Sequence, residues 1–229
     1  MLIPLAIRNS PSLIRVVPFA LFVVLTFCQD LFGEAARYWF YLGKTVVGAW
    51  LIWEMRRHVS EMRSVFSWEA VVAGIVVFVL WVGIDPLLQR LGIRYPKIAI
   101  GQSGPWNPLV RFADNGALAW FFIVVRIVGS AVVVPPLEEV FFRSWLYRYI
   151  ARPDFQSVPL GRFLILPFAV SSVVFGLEHR EWLAGILAGM IYAGLVCWKK
   201  RLGDAIVAHG VTNFFLGLWV VFKEQWQYW

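Results

Sequence analysis

Apolar residues run along this chain in blocks, with polar residues gathered between the blocks instead of alternating with them. A helix needs about 20 mostly apolar residues, roughly 17 to 25, to cross the hydrocarbon layer of a bilayer. The pattern predicts spans at residues 13–32, 38–55, 68–88 and 115–134, then at 163–177, 182–198 and 205–222. A further apolar and aromatic helix, 137–150, opens on two glutamates and is a candidate eighth span. The expected fold is therefore all-α, a polytopic transmembrane helix bundle of seven or eight spans. It forms a single integral membrane domain over residues 1–229, with its core at about 115–222.

Punctuation between the blocks refines this picture. Residues 92–114, with Gly92, Pro96, Gly101, Gly104, Pro105 and Pro108, lack helical periodicity and read as an extramembrane loop. Pro135-Pro136 predicts a break between Val134 and Leu137, because proline lacks an N–H and disfavours helix in the residue before it. A helix starting afresh near Leu137 puts Glu138 and Glu139 in its first turn, where the helix dipole favours carboxylates. Arg8 and Arg15 precede an apolar run at 16–28 with no small-x-small cleavage site, so this segment reads as a retained signal anchor. If the first two spans form a hairpin, Arg8 and Arg15 share a side with Arg56, Arg57 and Arg63, and that side is cytoplasmic by the positive-inside rule. Lys199, Lys200 and Arg201 join them only if 137–150 does not fully cross.

Composition agrees with lipid as the solvent. The chain is 60% hydrophobic and 15% charged, with a mean hydropathy of +0.69, whereas soluble domains carry about 25% charged residues. The net charge of +7 lies in short loops between apolar blocks, and no nucleic-acid module is present, so no nucleic-acid partner is expected. Cys28 and Cys197 sit far apart in apolar runs and read as small hydrophobes.

Ionised side chains inside membrane helices cost on the order of 2.5 to 3.5 kcal/mol each on insertion scales, so those present need a reason. They fall in three groups: Pro135 to Arg143, with Glu138, Glu139 and Arg143; Phe175 to His179; and His209 to Asn213. Glu139 and Arg143 are spaced four apart with the acid first, the favourable order for an ion pair along a helix. Glu138 is turned about 100° from Glu139 by the 3.6-residue period, so one carboxylate is neutralised locally while the other faces elsewhere. His209 and Asn213 share a helical face. Taken singly, each has a structural reading: an ion-pair staple, a satisfied core histidine, interhelical glue. Taken together, on three helices, they predict a polar site in a cavity. His58, Arg126 and Lys44 are expected to be interfacial or to reach toward the interface.

Glu138-Glu139-x-x-x-Arg143, Phe175-x-x-x-His179 and His209-x-x-x-Asn213, in this order on apolar helices, resemble the three motifs of the CAAX prenyl protease and bacteriocin-processing (CPBP or Abi) family of intramembrane peptidases. The resemblance covers about residues 115–222. It implies an intramembrane glutamate-type endopeptidase with Glu138, Glu139, Arg143, His179, His209 and Asn213 as its site. Glu138 with His179 would activate a water, His209 and Asn213 would stabilise the oxyanion, and Glu139 with Arg143 would orient the site. Catalytic zinc uses three protein ligands plus water, but there is no His-Glu-x-x-His motif and the candidate ligands lie on separate helices. No cofactor is expected, zinc being the disfavoured alternative. The implied partners are the lipid bilayer and a membrane-associated peptide or protein substrate, and the implied location is multi-pass in a bacterial inner membrane. Two rivals come from other classes: a non-catalytic membrane scaffold or immunity protein, and a small ion-coupled transporter, which the absence of an internal repeat disfavours.

Overall fold

The computed structural model describes residues 4–29, 31–63, 65–97 and 105–229. Their regular elements are helices. We label the longer ones α1 (Leu13–Cys28), α2 (Glu34–Met55), α3 (Trp68–Arg90), α4 (Gly116–Ala151), α5 (Ile165–Leu177), α6 (Trp182–Lys199) and α7 (Leu202–Lys223). Four of these, α3, α4, α6 and α7, are long and apolar enough to cross a membrane. Helices α1 and α5 are apolar but shorter, and α2 has the length but carries Glu34, Arg37, Lys44 and Glu54.

Starts and stops follow local chemistry. Ser67 caps α3 by accepting from the Ala70 N–H, and Asn115 caps α4 by accepting from the Leu118 N–H, each satisfying a donor that the first turn leaves over. Leu202, three residues before the expected start, opens α7. The 92–114 stretch contains a short helix, Pro108–Arg111, capped by Asn107; Gly101 and Gly104 of that predicted loop lie outside the described residues.

The expected break at Pro135-Pro136 does not occur. Helix α4 runs through both prolines, so 137–150 continues the fourth span and is not a separate one. The reason is a wide π turn over Gly129–Val133, immediately before the prolines. There the Val134 N–H bonds to Gly129 O, five residues back. This widening relaxes the α-helical register in which a proline ring would strike the carbonyl four residues earlier. A second π segment, Val140–Leu146, follows and contains Arg143. At about 1.5 Å per residue, Glu138 lies roughly 33 Å from the start of α4. The helix dipole therefore does not stabilise Glu138 or Glu139, and other side chains must.

Lipid-facing and interior surfaces separate as the solvent requires. Val124, Val128 and Val132 of α4, four residues apart, are exposed along one stripe, as are Val72, Val76 and Val79 of α3. Inside, small residues set the helix spacing. A Cβ built on Gly176 of α5 would lie 2.6 Å from the Ile186 nitrogen and 2.7 Å from the Trp182 oxygen of α6. One on Gly189 of α6 would lie 3.0 Å from Ser172 Cα of α5.

One end of the bundle is tied by a charged hub. Glu61, in the turn between α2 and α3, accepts from Arg15 of α1 at 2.7 Å and from Arg148 of α4 at 2.5 Å. Ser144 also donates to it at 3.1 Å, and both guanidinium groups sit near the Phe155 ring. Burial pushes the Glu61 carboxyl up, but Arg15 and Arg148 outweigh it and hold the group below its ordinary value of 4.5. A depressed folded pKa gives stability that is present above the unfolded value and lost as pH falls through the folded one. Thermal unfolding in detergent should thus hold steady from neutral pH to about 5 and shift downward below that. In Glu61→Gln the acid-dependent part of the shift should shrink.

Candidate functional site

The hub fixes α4 against α1, and the prolines with their π turn fix which way α4 presents the pair Glu138-Glu139. Glu139 is completely buried and lies between two partners. Its Oε2 is 3.1 Å from Arg143 Nε, close as a charge pair but not aligned as a hydrogen bond. Its Oε1 accepts from His209 Nδ1 at 3.0 Å. Arg143 spreads its remaining contacts over the Gly189 carbonyl of α6, at 3.2 Å, and the Phe175 ring, 4.3 Å from the guanidinium carbon.

Glu138 faces elsewhere, as the helical period requires. Its Oε2 lies 3.9 Å from His209 Nε2 and, though buried, has no hydrogen-bond partner among the described residues. Because the Glu139 carboxylate takes the Nδ1 proton, the imidazole of His209 turns Nε2 toward Glu138. Tyr192 of α6 stacks on that ring, with centroids 5.0 Å apart and planes at 18°. The Tyr192 hydroxyl donates to Thr212 at 2.7 Å, and Thr212 in turn donates to the Gly74 carbonyl of α3 at 2.9 Å.

His179 is placed by the end of α5. Its Nδ1 donates to the Phe175 carbonyl at 2.8 Å, which leaves Nε2 as a bare acceptor. The Trp81 ring of α3 packs edge-on against it with centroids 5.1 Å apart. Asn213, one turn after His209, donates from Nδ2 to the Ser130 carbonyl at 2.8 Å. That carbonyl is the one released when Val134 bonds to Gly129 in the π turn, so Asn213 satisfies a backbone acceptor freed by the wide turn. Its second amide hydrogen remains to serve the cavity.

A cavity of about 530 Å³ joins these parts. Glu138, His179, His209 and Asn213 all line it, while Glu139 and Arg143 stand behind the wall and hold His209 and each other. The six residues singled out in the sequence are thus divided between a lining set of four and a supporting pair. Among the described residues, no group of three or more His, Cys, Asp or Glu side chains is arranged to hold a metal ion.

Residues 118–215 match a family model described as type II CAAX prenyl endopeptidase Rce1-like. This stretch of the chain is similar to the CAAX-protease family. The matched segment includes all three motifs and leaves α1, α2 and α3 outside it, and with the apolar helices it makes the chain an integral membrane protein. The chain is also similar to the dipeptide and tripeptide permease A of Enterobacter sp. (strain 638), 28% identical over 122 residues. That match covers 49% of this chain and 23% of the permease, so the chain spans under a quarter of the length of this curated relative. No solved structure matches.

Several cavity residues escaped the sequence reading. Trp81 and Tyr192 are aromatic residues in apolar runs, indistinguishable there from ordinary packing. Glu178 lines the cavity beside His179, yet its position at the end of a span reads equally well as an interfacial charge. Lys44 and Arg126, expected to reach for the interface, stand in the cavity wall, with Lys44 donating to Thr26 at 3.0 Å.

Proposed function

We propose that the chain is an intramembrane endopeptidase that uses Glu138 and His179 to activate water against a peptide carbonyl. The observation that carries this reading is the unsatisfied, buried Glu138 oxygen on a cavity shared with His179, His209 and Asn213. A carboxylate and a bare imidazole nitrogen are both acceptors. A water between them gives a hydrogen to each and turns its lone pair outward, as general-base catalysis requires. When the water attacks, its proton passes to Glu138 and negative charge grows on the carbonyl oxygen. His209, held on the Glu139 carboxylate, and the spare Asn213 N–H stabilise that charge, an oxyanion donor being worth about 2.7–4 kcal/mol of barrier. The proton on Glu138 then leaves with the amine.

This reading takes no metal and no cofactor, so cleavage is expected to survive dialysis against a strong chelator. Its direct test is Glu138→Gln in the purified protein, with a set of apolar membrane-associated peptides as substrates. Glutamine keeps the shape and loses the base, and the expected loss is roughly 10²–10⁴-fold in rate with unchanged melting. Equal cleavage by the variant and the parent sinks the mechanism.

The likeness to part of a peptide permease favours a second reading, a carrier of short peptides, since intramembrane Glu, His and Arg also mark transport paths. Proton-driven uptake of a labelled dipeptide into liposomes, lost in His209→Ala, selects the carrier. No uptake alongside Glu138-dependent cleavage selects the peptidase.

A further inference from the structure

Among the described residues, the exposed ones that line the cavity gather at one end of the bundle, and side-chain contacts show which end that is. Arg15, Glu61 and Arg148 join the start of α1, the turn between α2 and α3 and the last turns of α4. Lys199 pairs with Glu69 at 2.8 Å, and Ser67 with Asp204 at 2.5 Å, which brings the turn between α6 and α7 to the same end. At the opposite end, the Trp182 indole donates to Pro96 O at 2.8 Å and Lys97 lies 3.9 Å from Glu181, linking the exit of α3 to the turn between α5 and α6.

Basic residues are concentrated in the connections at the first end. The turn after α2 carries Arg56, Arg57 and Arg63, the α6–α7 turn carries Lys199, Lys200 and Arg201, and the segment after α4 adds Arg152 and Arg162. The connections at the other end carry fewer: none between α1 and α2, Arg94, Lys97 and Arg111 between α3 and α4, and Arg180 between α5 and α6. Because α4 passes through Pro135-Pro136 as one helix, the α6–α7 turn falls on the same side as the α2–α3 turn, which the positive-inside rule makes cytoplasmic.

The exposed residues lining the cavity lie at the other end: Phe27 after most of α1, Glu178 and Arg180 after α5, and Gln227 after α7. From there the wall descends through Phe22 and Val134 to Glu138 and His209. Among the described residues, none of the hub or of the α6–α7 turn lines it.

We infer that the cavity is loaded from the non-cytoplasmic face, so its substrate is a membrane-associated segment displayed on that face. Cytoplasmic peptide ends are excluded by the charged hub and the packed ends of α4 and α7. The access route stands on helix order, charge and cavity lining; the identity of its occupant as a substrate rests on the peptidase reading above.

The test uses the full chain in bacterial membranes with Cys28 and Cys197 replaced by alanine. Single cysteines are placed at the mouth, Gln227→Cys or Phe27→Cys, and at the opposite end, Ser60→Cys. Both mouth positions and Ser60 are exposed. With a membrane-impermeant maleimide, the mouth cysteines are expected to label in intact spheroplasts and to be protected in inverted vesicles, and Ser60→Cys the reverse. The opposite pattern, or equal labelling from both sides, overturns the inference. In a second arm, one apolar reporter segment is tethered to a membrane anchor on either face. Glu138-dependent cleavage is expected only for the outward reporter. Cleavage confined to the inward reporter overturns the access route and leaves the peptidase standing. No cleavage in either orientation, together with outward labelling of the mouth, sinks the peptidase and leaves the route.

Discussion

Arg143→Ala is expected to unfold much of the protein at temperatures where the parent is intact. The substitution leaves Glu139 fully buried with its charge facing only His209, and it also takes a donor from the Gly189 carbonyl and a cation from the Phe175 ring. Breaking a buried pair from one side costs about 3–5 kcal/mol, because the remaining charge has no water to turn to. For a chain of this size that corresponds to a fall of on the order of 10 °C in melting temperature, readable in detergent from intrinsic tryptophan fluorescence. Arg143→Lys should recover part of this and not all of it, since an ammonium reproduces the charge and not the planar fork that reaches Glu139 and Gly189 together. The double change Glu139→Gln with Arg143→Gln should be less damaging than Arg143→Ala alone, because no unpaired charge remains. An Arg143→Ala protein that melts with the parent would mean that Glu139 is neutralised by His209 without help.

Gly176→Val is expected to damage both fold and activity. Its Cβ would sit 2.4 Å from Ile186 Cγ1 and 2.6 Å from the Ile186 nitrogen, and backbone atoms do not swing aside. Helices α5 and α6 would have to separate, and overpacking of this kind costs typically 1–3 kcal/mol. His179 hangs from the last turn of α5, held by the Phe175 carbonyl, so it moves with that helix. A displacement of about 1 Å in a positioned catalytic group can cost 10²-fold in rate. Gly194→Ala, in the same helix α6 but with open space around its Cβ, serves as the control and should change neither melting nor cleavage. If Gly176→Val left cleavage intact, His179 would not be part of the reacting set.

The apolar blocks, the all-helical class and the three polar groups were readable from the chain alone. Hydropathy and helical period are local properties, written into residues a few positions apart. The i,i+4 spacing alone announced that Glu139 would meet Arg143 and that Glu138 would not, and the 3.1 Å contact is the result. The outer limits of the spans were less legible: α1 stops at Cys28 and α7 begins at Leu202, because caps and first turns depend on single side chains.

Tertiary structure alone decided the rest. Whether Pro135-Pro136 ended a helix depended on a π turn whose released Ser130 carbonyl finds Asn213, 83 residues away. That carbonyl is satisfied only because α7 packs against α4, and no local propensity records such a partner. The same holds for His209 and Glu139, 70 residues apart, and for the cavity itself, whose wall draws residues from all seven helices. A sequence states which groups are costly in lipid. The packing of distant helices chooses which of them share a cavity and toward which face it opens, since that choice is a sum over contacts that no single segment contains.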